Sequence, residues 1–369
     1  MSSIVLPNSV IGIIGGGQIA RMMALAAKKM GFKVGILDPN IDPSAKNIAD
    51  FCVQASYHDA QELKDFAEKC TIVTYETLDA DLSILRRIQG KTKIPQNLDL
   101  LQITKNRLLE KTFLDEKDMI IAPYKTIVKA VEINEAISTI GLPCILKSIH
   151  ANKKHVIYSM KDAAEAMNLL REGSCILEAW IPAEYELCVT VCGNGKDSYH
   201  AFPAAEMIKR NNQLHEVVAP ARIDKEALEE AKRIALEIAE SLELIGVMNI
   251  EMFQTKEGGI YVHQLIARPG NAGFHTIESC NISQFEAHIR SICAWPVDEL
   301  NQHTDAVLVN VLAEEYAESL NLIEGNPTWN FHYYGKEAIR KHRQMGHIIV
   351  LSQDVNQTLE EIYQTKIWD

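Results

Sequence analysis

Residues 10–23 read VIGIIGGGQIARMM, and this stretch decides the fold. Val10–Ile14 is a short apolar run that ends in three glycines, Gly15, Gly16 and Gly17. From Gln18 the apolar residues fall at helical spacing, as Ile19, Met22, Met23 and Ala26, and Gly31 supplies a stop. A buried strand, a glycine turn and a helix in that order begin a β-α-β unit. Working outward, KVGILDP reads as a second strand, DAQELKDFAEKC as a helix with an acidic start and TIVTYE as a third strand. DLSILRRIQG reads as a further helix. This alternation predicts an α/β fold, with a parallel sheet carrying helices on its faces.

The chain has 369 residues, enough for two or three domains. No apolar run approaches the ~20 residues a membrane helix needs, and residues 1–10 lack the basic start and apolar stretch of a signal peptide. A formal net charge of −12 argues against a nucleic-acid partner, because phosphate contacts want basic surface. The eight cysteines form no CxxC pair and mostly sit in apolar runs, such as LPCIL and ELCVTVC. They read as small buried hydrophobes of a reducing cytoplasm.

A second region opens at ITKNRLLEKTFLDEKDM, a strongly helical stretch. LPCILKS and HVIYSM read as paired strands, DAAEAMNLLREG as a helix and CILEAWI as a strand. Residues 183–208 suggest a meander. Residues 225–242 form the clearest amphipathic helix, with Leu228, Ala231, Ile234, Ala235, Ile238 and Leu242 on one face. A small C-terminal part begins near residue 301.

Three motifs carry chemistry. Gly15, Gly17 and Ala20 fit G-x-G-x-x-A, with Asp38 ending the next strand. A nicotinamide cofactor, another phosphorylated ligand and a tight structural turn all remain open for it. In VMNIEMFQTKEGGIYVHQLIARP, a four-residue loop at 256–259 would set Thr255 against Ile260 and Glu251 against Gln264. Two oxygen-bearing side chains suit a hard cation such as Mg2+. Pairing of Glu251 with a base such as Arg268 is the alternative. YYGKEAIRKHRQMGH gathers Lys336, Arg340, Lys341, Arg343 and His347 in an acidic chain. That is either a solvated loop or an anion site.

Taken together, IGIIGGGQIARMM, TYE, EYELCVTV, APARI, ARPGNAGFHTIESC, SQFEAHIR and YYGK…RQMGH resemble carboxyaminoimidazole ribonucleotide synthetase, an ATP-grasp family. The resemblance covers nearly the whole chain. It implies a Rossmann-like N-terminal domain (1–103), a central α+β ATP-grasp unit (104–300, lid about 122–184) and a small β-rich C-terminal domain (301–369). It also implies a cytoplasmic homodimer. The implied reaction carboxylates aminoimidazole ribonucleotide with ATP and bicarbonate through carboxyphosphate, in purine biosynthesis. Arg107 and Lys147 match the basic ATP contacts, Glu178 with Ala179, Trp180 and Ile181 the adenine hinge, and Glu186 the ribose acid. Gln18, Tyr75, Glu76, Asn271, Lys336 and Arg343 match the ribonucleotide site. Arg268 and Lys147 match the family's catalytic positions, while Glu251 and Gln264 stand at the metal positions.

The departures from the family pattern fall on the site. A loop of the form Gly-Tyr-Asp-Gly-Lys-Gly is replaced by SIHANKK, about four residues shorter and without the glycines that let backbone wrap phosphates. Gln264 replaces a carboxylate, His263 an asparagine and Leu78 an acid. Gly270 and Phe274 stand where histidines are expected, and Ala272 replaces a serine. An active ligase with an altered site is one reading. A related protein that binds a nucleotide or a partner without turnover is the second. A nucleotide-dependent enzyme on another substrate, an oxidoreductase included, is the third.

Overall fold

The computed structural model describes residues 4–150 and 153–368. The N-terminal sheet holds β1 (Val10–Ile14), β2 (Lys33–Asp38), β3 (Phe51–Gln54) and β4 (Ile72–Tyr75), in the order β3-β2-β1-β4. All three pairings are parallel. Helix α1 (Gln18–Lys29) ends before Gly31, whose φ is +82°. The strand order reverses beside β1. The carboxyl ends of β1 and β4 therefore flank the crevice where open α/β sheets hold their ligands.

A second sheet, β5 (Tyr124–Ile127), β6 (Cys144–Ser148), β7 (Lys154–Ile157) and β8 (Cys175–Ala179), is antiparallel throughout in the order β5-β8-β6-β7. LPCILKS and HVIYSM thus pair, but Met160 already opens a helix, Met160–Ala166. The helical stretch near residue 105 is two helices, Leu98–Lys105 and Arg107–Glu116. Asn106 separates them and caps the second, accepting from the N–H groups of Leu108 and Leu109.

The largest sheet contains β9 (Ala183–Asn194), β10 (Tyr199–Ala201), β11 (Ala205–Arg210), β12 (Gln213–Ala219), β13 (Ile245–Thr255), β14 (Ile260–Ile266), β15 (Asp305–Leu312), β16 (Trp329–Tyr333) and β17 (Gln344–Ser352). The C-terminal strands are not a separate sheet: β15 pairs with β12 from Glu216↔Val309 to Ala219↔Ala306, and β17 and β16 follow. The amphipathic helix spans Lys225–Ser241 and buries Ala231, Ile234, Ala235 and Ile238.

By packing, the chain divides into two compact units. One comprises residues 1–98, 187–249 and 266–369, and the other residues 99–186 and 250–265. All eight cysteines are free. Among the described residues, no helix is long and apolar enough to cross a membrane.

The glycine turn is a close approach. A Cβ on Gly15, whose φ is +104°, would lie 2.3 Å from Glu76 Cγ. Gly15→Ala should therefore cost about 2 kcal/mol or more in urea unfolding, through strain and the displaced carboxylate. Gly90→Ala, with nothing within 4 Å of its added methyl, should change stability by less than about 0.5 kcal/mol.

Candidate active site

In the first unit, the site grows from the helix start. The first N–H groups of α1 have no partners within the helix, and Gly17 offers no side chain to cap them. Glu76, directly after β4, fills the gap. Its Oε1 accepts from Gly17 N and its Oε2 from Ala20 N at 2.8 Å. Burial pushes its pKa up, while those two N–H groups and nearby Arg268 pull the other way. Asp38 is likewise committed. It accepts from Gly16 N and the Tyr57 hydroxyl, each at 2.7 Å, and from both nitrogens of Asn40. A dinucleotide needs that helix terminus for its pyrophosphate and that acid for a ribose. Both are taken by the protein itself, which removes the nicotinamide reading of the glycine motif.

The crevice opens instead onto a cavity of about 600 Å³, lined by Gly16, Gly17, Glu76, Lys336, Arg340 and Arg343 among others. The basic C-terminal stretch therefore faces the glycine turn. Lys336 Nζ donates to Gln18 Oε1 at 3.0 Å, and Arg343 Nη1 donates to Ala338 O at 2.7 Å. Burial, with Arg343 nearby, lowers the Lys336 pKa to about 8. Tyr75, Arg268 and Asn271 do not line the cavity. Each nonetheless carries a buried polar atom without a hydrogen-bond partner: the Tyr75 hydroxyl, Arg268 Nε and Asn271 Oδ1. Such atoms are rare in folded proteins and call for an explanation.

In the second unit, Lys147 is buried on β6 and donates to Glu178 Oε2 at 2.8 Å. Lys111 Nζ lies 3.7 Å from the same oxygen, is itself buried and makes no hydrogen bond. Burial alone would raise the Glu178 pKa, but the two ammonium groups outweigh it and hold the carboxyl below its ordinary value. Two buried cations against one carboxylate leave a local excess of positive charge. Glu110, one residue before Lys111, is also buried; desolvation raises its pKa to about 7, and it accepts from Leu265 N.

Sequence reasoning passed over Glu110 and Lys111. The signal was present, since both share a helix face with buried Leu114, where an apolar stripe is expected. At the hinge, Ala179 N donates to Pro123 O and Trp180 N to Pro143 O. Those two N–H groups therefore have no part left for recognising a base. Ile181 and Glu186 are half-buried on the adjoining segment, and Arg107 begins the helix that carries Lys111.

The hairpin corrects the expected register. Thr255 N donates to Gly259 O, Gly258 N donates to Thr255 O, and Gly258 has φ +86°. The turn thus has three residues, not four, and a one-residue shift changes which side chains face each other. Carried to Glu251 by strict alternation, that count would set it against His263. The Phe253 and His263 rings, 4.3 Å apart, agree with that count. Alternation along β14 then breaks, with His263 and Gln264 both half-buried. Among the described residues, no three His, Cys, Asp or Glu side chains could hold a metal by themselves.

Of the altered loop, Ala151 and Asn152 lie outside the described residues. Lys153 is exposed and bound to Glu172 at 2.6 Å, and Lys154 sits on β7 opposite Lys147.

Comparison with known proteins follows the same order along the chain. The ribonucleotide synthetase preATP-grasp domain matches residues 9–105, the ATP-grasp domain residues 112–285, and the phosphoribosylaminoimidazole carboxylase C-terminal domain residues 306–361. Fold and sites thus define a member of the ATP-grasp class. An N5-carboxyaminoimidazole ribonucleotide synthase of Bacillus subtilis is 35% identical over 367 residues, covering 97% of this chain and 96% of that protein. An N5-carboxyaminoimidazole ribonucleotide synthetase crystallised with ADP has a TM-score of 0.97 and 38% identity, covering 100% of this chain and 99% of the other. The Aspergillus clavatus synthase, in complex with ADP and aminoimidazole ribonucleotide, has a TM-score of 0.92 and 25% identity, covering 98% of this chain and 99% of that one. The chain belongs to the N5-carboxyaminoimidazole ribonucleotide synthase family.

The Glu178 cluster gives a stability test. Glu178→Gln leaves two ammonium groups buried beside an amide, and should cost about 3–5 kcal/mol in chemical unfolding. Lys153→Ala, which breaks a solvent-exposed pair, should cost under about 1 kcal/mol.

Proposed function

We propose that this chain carboxylates the exocyclic amine of aminoimidazole ribonucleotide, using ATP and bicarbonate. One observation carries the reading. Three residues matched to the family's ribonucleotide site, Glu76, Lys336 and Arg343, line one cavity of about 600 Å³ beside the glycine turn. The family relationship supports the same assignment, and no finding favours loss of turnover.

In this reading Lys336 and Arg343 hold the ribonucleotide phosphate, with Gln18 aligning Lys336. Glu76 shapes the floor and does not act as a base, because both its oxygens serve α1. Lys147 and Lys111 receive the nucleotide phosphates, and the hinge at Glu178–Ile181 with Glu186 holds the nucleoside. The γ-phosphoryl group passes from ATP to a bicarbonate oxygen, giving carboxyphosphate and ADP. The amine attacks the carboxyl carbon, phosphate leaves, and the amine proton goes with it. Arg268, buried and cationic beside Glu76, stabilises the charge on the departing phosphate.

A carboxylate and an amide oxygen, Glu251 and Gln264, fit Mg2+ provided that phosphates complete its shell. When bound, the ion would neutralise phosphate charge. The domain division at 103 and 300, the homodimer and the cytoplasmic location belong to the same proposal.

Two outcomes are expected. ATP hydrolysis at saturating Mg-ATP requires both aminoimidazole ribonucleotide and bicarbonate; hydrolysis indifferent to either would overturn the assignment. The pH profile tests Lys336. Its charged form is the one that binds phosphate, so kcat/KM for the ribonucleotide should fall as pH rises through about 8. The corresponding value for ATP should show no limb there.

A further inference from the structure

The cation of Lys336 is aimed by a run of amide side chains with a single polarity. Asn310 Nδ2 donates to Leu214 O at 2.9 Å, which turns its Oδ1 toward Gln344. Gln344 Nε2 donates to that Oδ1 at 2.6 Å and lies 3.2 Å from the Tyr334 hydroxyl. Its Oε1 must then face Gln18 Nε2, 3.2 Å away. Gln18 Oε1 is left to accept from Lys336 Nζ, and the Gln344 carbonyl takes a second Lys336 N–H at 2.7 Å. An ammonium has three N–H donors. Two go to neutral oxygens, neither a carboxylate, and Nζ lies 5.2 Å from the centre of the Tyr334 ring, so the charge keeps no anionic partner while Lys336 lines the cavity.

A backbone irregularity makes this possible. β15 pairs with β17 as Asn310↔His347 and Val311↔Gly346, then jumps to Leu312↔Gln344. Met345 is the extra residue. Under strict alternation Gln344 would point away from the face of Asn310 and His347; the bulge brings it back.

We infer that Gln344 is a positioning residue, which through Gln18 fixes the direction of the Lys336 ammonium toward the substrate's phosphate. This rests on the reading of Lys336 as a phosphate contact. The test uses the full chain and ribonucleotide-dependent ATP hydrolysis, with Lys336→Met as the reference. Gln344→Met should raise KM for the ribonucleotide about tenfold, the effect of losing an aligned hydrogen bond to a charged group. It should leave KM for ATP and kcat within twofold. Adding Gln18→Met to Gln344→Met should raise KM no further than twofold, because both act through one chain. Asn310→Leu, one link farther from the cavity, should raise the same KM, and it serves also if Gln344→Met proves too unstable to assay. Multiplicative effects of Gln18→Met and Gln344→Met would overturn the inference. So would an unchanged KM in Gln344→Met and Asn310→Leu when Lys336→Met raises it. If Lys336→Met itself leaves KM unchanged, the phosphate assignment fails and the inference falls with it.

Discussion

One carboxylate organises the N-terminal half of the site. Glu76 leaves the end of β4 and spends both oxygens on the N–H groups that open α1. A buried carboxylate is costly alone and a helix N-terminus leaves donors unmet, so each resolves the other's deficit. The glycines follow from this contact. A methyl on Gly15 or Gly17 would strike the Glu76 side chain, at 2.3 Å and 2.7 Å. The turn is therefore glycine-rich because a protein carboxylate approaches it, not because a dinucleotide does. With the helix terminus occupied, the cationic side chains that line the same cavity are Lys336, Arg340 and Arg343.

The second unit solves the opposite problem. Glu178 is outnumbered by Lys147 and Lys111, and all three are nearly fully buried. A buried cation without a full partner is unfavourable, so the cluster carries an unmet demand for negative charge. That gives physical meaning to the altered loop. Lys153 is turned outward to Glu172, where an exposed pair is worth little. It is not placed as a substitute for the wrapping backbone that a glycine loop would offer. The charge that matters was already in the core of this unit, on β6 and on the helix Arg107–Glu116.

Much of this was legible beforehand. The α/β alternation, the turn after β1 and the pairing of β6 with β7 follow from patterns that the elements themselves impose. The misses have separate causes. Phe51–Gln54 is an edge strand, half-buried along most of its length, and its apolar run, Phe51–Val53, is too short to signal a strand without alternation. Asn106 breaks a continuous helical pattern because a capping side chain outcompetes propensity locally. The Lys256–Gly258 turn needed a decision between two glycines for the position of positive φ, and the loop is one residue shorter than the four expected. Glu110 and Lys111 were passed over for a different reason, although their place on the stripe was readable. Charged residues on a buried stripe look like surface until their partners are known, and Glu178 is 67 residues away in sequence from Lys111.

The ribonucleotide side makes the same point more sharply. Gln18 and Lys336 are separated by 318 positions, yet share a hydrogen bond. Nothing local brings them together. The strands β15, β17 and β16 extend the large sheet, and one extra residue in β17 turns Gln344 onto the face where it joins Gln18. Residue identity can be read from a motif such as YYGK…RQMGH. The direction in which its amides and ammonium point depends on a strand register more than 300 residues from the glycine turn. Substitutions in that strand would therefore disturb the hydrogen bonds that hold the Lys336 ammonium while leaving every cavity-lining residue in place.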